Sequence, residues 1–155
     1  MTSGTAQARE ARAPLPCTGA RARRLTRRMT AFYEGYLREV GLRLPQYSLL
    51  MHLTRAPQSL LHLAERMDMD RTTLTRALKP LVAAGWVVRH ASDDARQRLF
   101  VLSDSGRQKR DQAQAVWVEA QLALEAVLGR DFTAELNAQL EAALERLRPA
   151  LSPEN

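Results

Sequence analysis

Apolar positions recur along most of this chain at helical spacing, interrupted once by a stretch that reads as strand. Leu25, Met29, Phe32, Tyr33, Tyr36, Leu37 and Val40 share one face of a first helix, expected from about Arg21 to Val40, with Gly41 as its stop. Pro45 suits the first turn of a second helix that turns Leu49, Leu50 and Leu53 inward, with Ala56-Pro57 expected to end it. Ser59 can cap a short third helix carrying Leu60, Leu63, Ala64 and Met67. After a tight turn at Asp68-Met69, Asp70 caps a fourth helix. Its stripe of Leu74, Ala77, Leu78, Leu81 and Val82 has the spacing of a single helix face. Gly85 fits the left-handed position just past its end.

The period then changes. WVVRH (86–90) and RLFVL (98–102) are β-prone runs joined by the polar ASDDARQ, which predicts a hairpin. Ser103 can cap a long helix ending near Gly129, about 25 residues and so roughly 37 Å, more than a small domain needs internally. A last helix is expected from Phe132 to Leu147, with Leu136, Leu140, Ala143, Leu144 and Leu147 on one face and Pro149 as its stop. The implied fold is mainly α with a small β-hairpin wing. A winged helix-turn-helix of about residues 45–103 is flanked by helices of about 21–40 and 104–148. Those outer helices have little domain left to cover their stripes, so they are expected to pack on a second copy. Residues 1–20 read as a disordered basic arm and 21–150 as a single domain.

The chain has 155 residues, about one domain's worth. Its one cysteine allows no internal disulfide and fits a reducing, cytoplasmic compartment. No apolar run reaches membrane-spanning length, and the first residues lack the apolar core of a secretory signal. The Arg-rich start loosely resembles a mitochondrial transit peptide, but a basic arm accounts for it as well. Surface attachment to a membrane would need aromatic or Leu anchors, and none precedes Leu25 apart from Leu15 within the arm.

Net charge is +6, and its distribution narrows the choice of partner. Residues 1–28 hold seven Arg and one Glu, and residues 71–98 hold Arg71, Arg76, Lys79, Arg89, Arg96 and Arg98 against Asp93 and Asp94. Residues 111–155 hold three Arg against eight acids, so the C-terminal part is not expected to touch DNA.

On the fourth helix the side opposite the stripe carries Thr72, Arg76, Lys79 and Ala83, with Thr73 and Thr75 flanking and Arg71 in the first turn. Arginine forks onto guanine acceptors, and threonine offers a hydroxyl and a methyl. Helix N-termini also attract phosphate. A solvated amphipathic helix would present a basic face too. The Ser59-to-Gly85 spacing and the hairpin directly after it favour a major-groove reader. Arg71, Thr72, Thr73, Thr75 and Arg76 are the candidate base readers, and Lys79 is assigned to phosphate. At the hairpin tip Arg96 could enter a minor groove, oriented by Asp94; a surface ion pair there would contribute only about 0–1 kcal/mol. Ser59 and Arg98 complete the candidate DNA-binding set.

These features point to a sequence-specific regulator of transcription that binds double-stranded DNA. A protein-binding winged helix without DNA is the alternative. No phosphate loop, carboxylate pair or nucleophile–base set suggests an enzyme. His62 and Glu65 share a helix face while His52 and His90 lie elsewhere, so neither a metal nor a cofactor is expected.

The segments GLRLPQYSLLMHL (41–53), LAERMDMDRTTLTRALKPLVAAGWV (63–87) and DARQRLFVLSDSG (94–106) resemble the MarR family of bacterial regulators over roughly residues 21–148. That resemblance implies a homodimer, often a repressor, whose recognition helices enter successive major grooves and which responds to phenolic or lipophilic effectors or to oxidants. Ala95 departs from the basic residue many family wings carry, and Pro80 interrupts the recognition-helix ladder. Phe32, Tyr36 and Trp117 are candidates for an effector pocket, though packing explains them equally. Cys17 lies among Arg12, Arg21 and Arg23, cations that favour thiolate reactivity, and near where peroxide-sensing relatives keep a cysteine. Tyr33 matches one of their two tyrosines, while Arg23 stands in place of the other. Cys17 is thus a candidate redox sensor, or an exposed thiol of no special role.

Overall fold

The computed structural model describes residues 17–91 and 98–151. In chain order these form α1 (Thr18–Leu37) with a 3-10 turn Arg38–Val40, α2 (Leu44–His52), β1 (Gln58–Ser59), α3 (Leu60–Arg66), α4 (Arg71–Ala83), β2 (Val87–His90), β3 (Leu99–Leu102), α5 (Asp104–Leu128) and α6 (Arg130–Leu151). The expected helices and the hairpin are all present.

Helices α3 and α4 of the central body begin and end as their sequence directs. Ser59 caps α3 by accepting from the backbone N–H of His62 at 3.1 Å, and Asp70 caps α4 by accepting from that of Thr73 at 2.8 Å. Three helical stretches then close with the same pair of backbone bonds. After α4, Gly85 N–H donates to Val82 and Trp86 N–H to Leu81, with Gly85 at φ 73°. The 3-10 turn closes likewise through Gly41 and Leu42, and α3 through Asp68 and Met69. At Asp68 the left-handed residue (φ 48°) is not glycine, and it forms the turn of the helix-turn-helix.

Four features differ from expectation. The start of α1 lies at Thr18, inside the stretch read as a disordered arm, because the Cys17 thiol accepts from Ala20 N–H at 3.4 Å and caps the helix. Residues 1–16 lie outside the described residues. The second helix stops at His52, before Ala56-Pro57, because Gln58 Oε1 captures the Thr54 N–H at 3.0 Å and turns the chain. The last helix begins at Arg130 and runs past Pro149 to Leu151. A proline so near a helix end forfeits one backbone bond without breaking many. Finally, the wing is not a bare hairpin. Strand β1 pairs antiparallel with β3 (Gln58 opposite Phe100, Ser59 opposite Leu99), giving the sheet order β1-β3-β2.

The core sits where α1, α2, α4 and α5 converge on the sheet. Leu37, Leu49, Leu50, Leu53, Leu63, Leu74, Leu78, Leu81 and Val87 are fully enclosed there. Tyr33 reaches from α1 to α5, donating its hydroxyl to Gln121 Oε1 at 2.7 Å. Burial, then the nearby Glu125 charge, hold that phenol above its ordinary pKa, so it stays a donor. By contrast, α5 and α6 leave Leu122, Val127, Phe132, Leu140, Leu144 and Leu147 exposed, Val127 to 72%.

Candidate nucleic-acid interface

The outward face of α4 is formed as its periodicity requires. Leu74, Leu78 and Leu81 are buried, while Arg71, Thr72, Thr73, Arg76 and Lys79 are exposed and Thr75 is half-buried. Pro80 lies on the exposed side, and the helix continues through it to Ala83. An open cleft of about 720 Å³ brings Arg71, Thr72, Thr75, Arg76 and Lys79 together with Ser59 at the start of α3 and Arg98 beside the wing. Seven of the nine candidate DNA-binding residues therefore line one surface. Every charged side chain lining it is a cation.

Two backbone links set its shape. Leu60 N–H donates to the Arg98 carbonyl at 3.1 Å, which ties the start of α3 to the wing. The pairing of β1 with β3 holds Ser59 opposite Leu99. Ser59 and Arg98 are thus fixed relative to one another by main-chain bonds, the rigidity that groove docking needs.

The threonines are less free than the sequence implies. The Thr73 hydroxyl donates to Asp70 Oδ2 at 2.5 Å, and the Thr75 hydroxyl donates to the Arg71 carbonyl at 2.7 Å. Both protons are committed within the helix. Toward a partner these residues present methyl groups and oxygen acceptors, and Thr73 lies outside the cleft. The Asp70 carboxyl is held below its ordinary value chiefly by the Thr73 hydroxyl, then by the Thr73 N–H. Arg96, with Asp94, lies outside the described residues.

A second cavity of about 230 Å³ lies between α4 and the wing, floored by Leu78, Val82 and Phe100 and edged by Lys79, Arg89 and Arg98. The candidate effector aromatics lie elsewhere and form two pairs. Phe32 and Tyr36 tilt against each other on α1 at 5.6 Å, and Trp117 stacks on Tyr47 of α2 at 6.1 Å. Cys17 is exposed at the start of α1, near the exposed Arg21 and Arg23. Among the described residues no three His, Cys, Asp or Glu side chains cluster as a metal site, and no helix is long and apolar enough to cross a membrane.

The MarR family model matches residues 40–98, the stretch that builds this surface. A solved structure of the M. tuberculosis transcriptional regulator MOSR, in complex with DNA, is 31% identical, covering 83% of this chain and 98% of that one, with a TM-score of 0.67. The chain belongs to the MarR family. Other structures with the family's winged helix extend the likeness. A cysteine-to-serine variant of E. coli MarR complexed with operator DNA is 26% identical (TM-score 0.73), covering 81% of this chain and 92% of that one. The transcriptional repressor CouR, bound to a 23-mer DNA duplex, has the same fold at 24% identity (TM-score 0.75, 83% and 92% covered). A comparison with curated proteins found no significant match.

The sequence missed the joint behind the family's winged helix. Ser103 caps α5 through Gly106 N–H at 3.0 Å and donates to the Gly85 carbonyl at 2.6 Å, fastening α5 to the end of the recognition helix. The L-S-x-x-G run at 102–106 was the available signal, but its contacts reach back some twenty residues.

Proposed function

We propose that this member of the MarR family is a cytoplasmic, non-enzymatic repressor that binds a specific double-stranded DNA operator as a homodimer. The cleft uniting Ser59, Arg71, Thr72, Arg76, Lys79 and Arg98 carries the reading, because its only charges are cations and it spans α3, α4 and the wing. In this reading Arg71 and Arg76 fork onto base acceptors, with the Thr72 side chain and the methyls of Thr73 and Thr75 beside them. Lys79, Arg98 and the exposed start of α3 at Ser59 hold phosphates. Arg96 enters the minor groove.

The exposed apolar stripe of α5 and α6 supports the dimer, since a monomer rarely leaves such a surface uncovered. A two-fold pair would present two recognition helices about one duplex turn apart. That MOSR and the E. coli MarR variant were each solved in complex with DNA supports a duplex as the partner. Regulation by an effector held near Phe32, Tyr36 and Trp117, or by oxidation at Cys17, completes the proposal.

Selection of duplexes from a random pool tests it. Enrichment of a pseudo-palindrome with half-sites one turn apart is expected. A pool that stays unenriched would leave the protein-binding winged helix as the better reading.

A further inference from the structure

We infer that Leu61 is a reader of base sequence, seated on the C5 methyl of a thymine in each half-site of the operator. The inference rests on the reading of the cleft as a duplex-binding surface. It deepens that reading by naming a base group that the cations of the cleft do not recognise.

Leu61 stands in the first turn of α3 and is 54% exposed. Single exposed leucines are ordinary on protein surfaces, so exposure alone carries no meaning. Its place sets it apart. Among the described residues it is the one exposed large hydrophobic side chain that lines the cation-bearing cleft, where it joins Arg71, Thr72, Thr75 and Arg76. The others lie on α5 and α6, apart from Met51 and Val88, which stand outside the cleft.

The Leu61 backbone is held from both sides. Leu60 N–H donates to the Arg98 carbonyl at 3.1 Å, and His62 N–H donates to Ser59 Oγ at 3.1 Å. Across the turn, Met69 N–H donates to the Ala64 carbonyl at 2.9 Å, and Leu63 of α3 and Leu74 of α4 are both fully enclosed. Leu61 therefore keeps its place relative to α4, and seating it on a partner costs little beyond its own rotamer freedom.

The neighbouring hydroxyl strengthens the apolar character of this corner. Thr75 spends its proton on the Arg71 carbonyl at 2.7 Å. Cations admit the phosphates of a duplex. On the base edges of the major groove, the thymine C5 methyl is the one methyl group for an apolar side chain to meet. Phosphate oxygens and purine acceptors would have to shed water against Leu61 with nothing in return. A sugar contact would cover Leu61 too, but it carries no sequence information, so loss of a single base methyl separates the two.

The test uses the duplex selected from the random pool. Each thymine of a half-site is replaced in turn by uracil, symmetrically in both halves, so that only the methyl is lost. Fluorescence anisotropy of the labelled duplexes reads affinity for the full chain at fixed salt, with far-UV circular dichroism as the control for folding. One such replacement should weaken the parent about tenfold. Leu61→Ala should bind the thymine and uracil duplexes at that position within about twofold of each other. Alanine at an exposed helical position keeps the helix, so the variant isolates the side chain. A parent indifferent to uracil at every thymine, a selected half-site without thymine, or a uracil penalty undiminished in Leu61→Ala would overturn the assignment and leave the DNA-binding reading standing. A pool that yields no enriched duplex would overturn that reading itself, and the role of Leu61 with it.

Discussion

The backbone carbonyl of Trp86 occupies the space in which Gly106 would carry a side chain: a Cβ there would stand 2.8 Å from the Trp86 carbonyl carbon. Trp86 closes the end of the recognition helix, and Gly106 lies in the first turn of α5. This contact sets how closely the long helix approaches the DNA-reading body. Ser103 N–H, which donates to the same carbonyl at 3.0 Å, holds it in register, and the Lys109 ammonium lies 5.1 Å from the indole centroid. Gly106→Ala should therefore destabilise the fold by about 1–3 kcal/mol through overpacking against rigid main chain. Urea denaturation would check this, and an unchanged midpoint would contradict the contact.

The turn of the helix-turn-helix holds Asp68 in the left-handed conformation at φ 48°. Asp68→Gly should raise stability by up to about 1 kcal/mol, because glycine adopts this conformation without a Cβ clash, while Asp68→Val should lower it by about 1–2 kcal/mol. Thermal melts of the three proteins would read the order Gly, Asp, Val.

Asp70 makes the cap pH-dependent. Its carboxyl is held below the ordinary value by the Thr73 hydroxyl and N–H, so the folded state binds its proton less readily than the unfolded chain. The stability it supplies is present above the ordinary aspartate range and is lost as pH falls through the folded value. Asp70→Ala should be less stable than the parent at pH 7, and the gap should narrow toward pH 3. A gap that widens on acidification would contradict this sign.

Much of the fold was legible because it is local. The caps at Ser59, Asp70 and Ser103, the stops at Gly41 and Gly85, and the α4 stripe each follow from residues within a few positions of one another. What escaped was tertiary. Gln58-Ser59 has no strand-forming character, and becomes β1 only because β3 passes alongside. Cys17 caps α1 although cysteine is a poor cap on average. The Thr73 and Thr75 hydroxyls face outward on a helical wheel, yet each turns back to its own helix. The candidate site was legible for a similar reason: a wheel separates exposed from buried on α4, and the brief β1 pairing delivers Ser59 and Arg98 to the same cleft.

Arg76 and Lys79 should separate base reading from phosphate contact. Arg76→Ala should weaken the selected duplex by about 1–3 kcal/mol per half-site and relax preference at one position of each, while Lys79→Ala should weaken all duplexes alike and reduce the salt slope by about two, one for each protomer. Equal losses of Arg76→Ala on every sequence would move Arg76 to the phosphates.

If oxidation at Cys17 governs release, peroxide should free the parent chain from its duplex and leave Cys17→Ser bound. Equal release of both proteins would remove Cys17 from regulation and leave it as a helix cap.

The most direct test of DNA binding is the salt dependence of affinity for the selected duplex. Four cations per chain line the cleft (Arg71, Arg76, Lys79 and Arg98), and a homodimer presents two such sets. With Lys79 and Arg98 of both copies on phosphates, the logarithm of the association constant should fall linearly with the logarithm of salt concentration, with a slope of about −4 as phosphate-bound counterions are released. A flat profile would contradict the account.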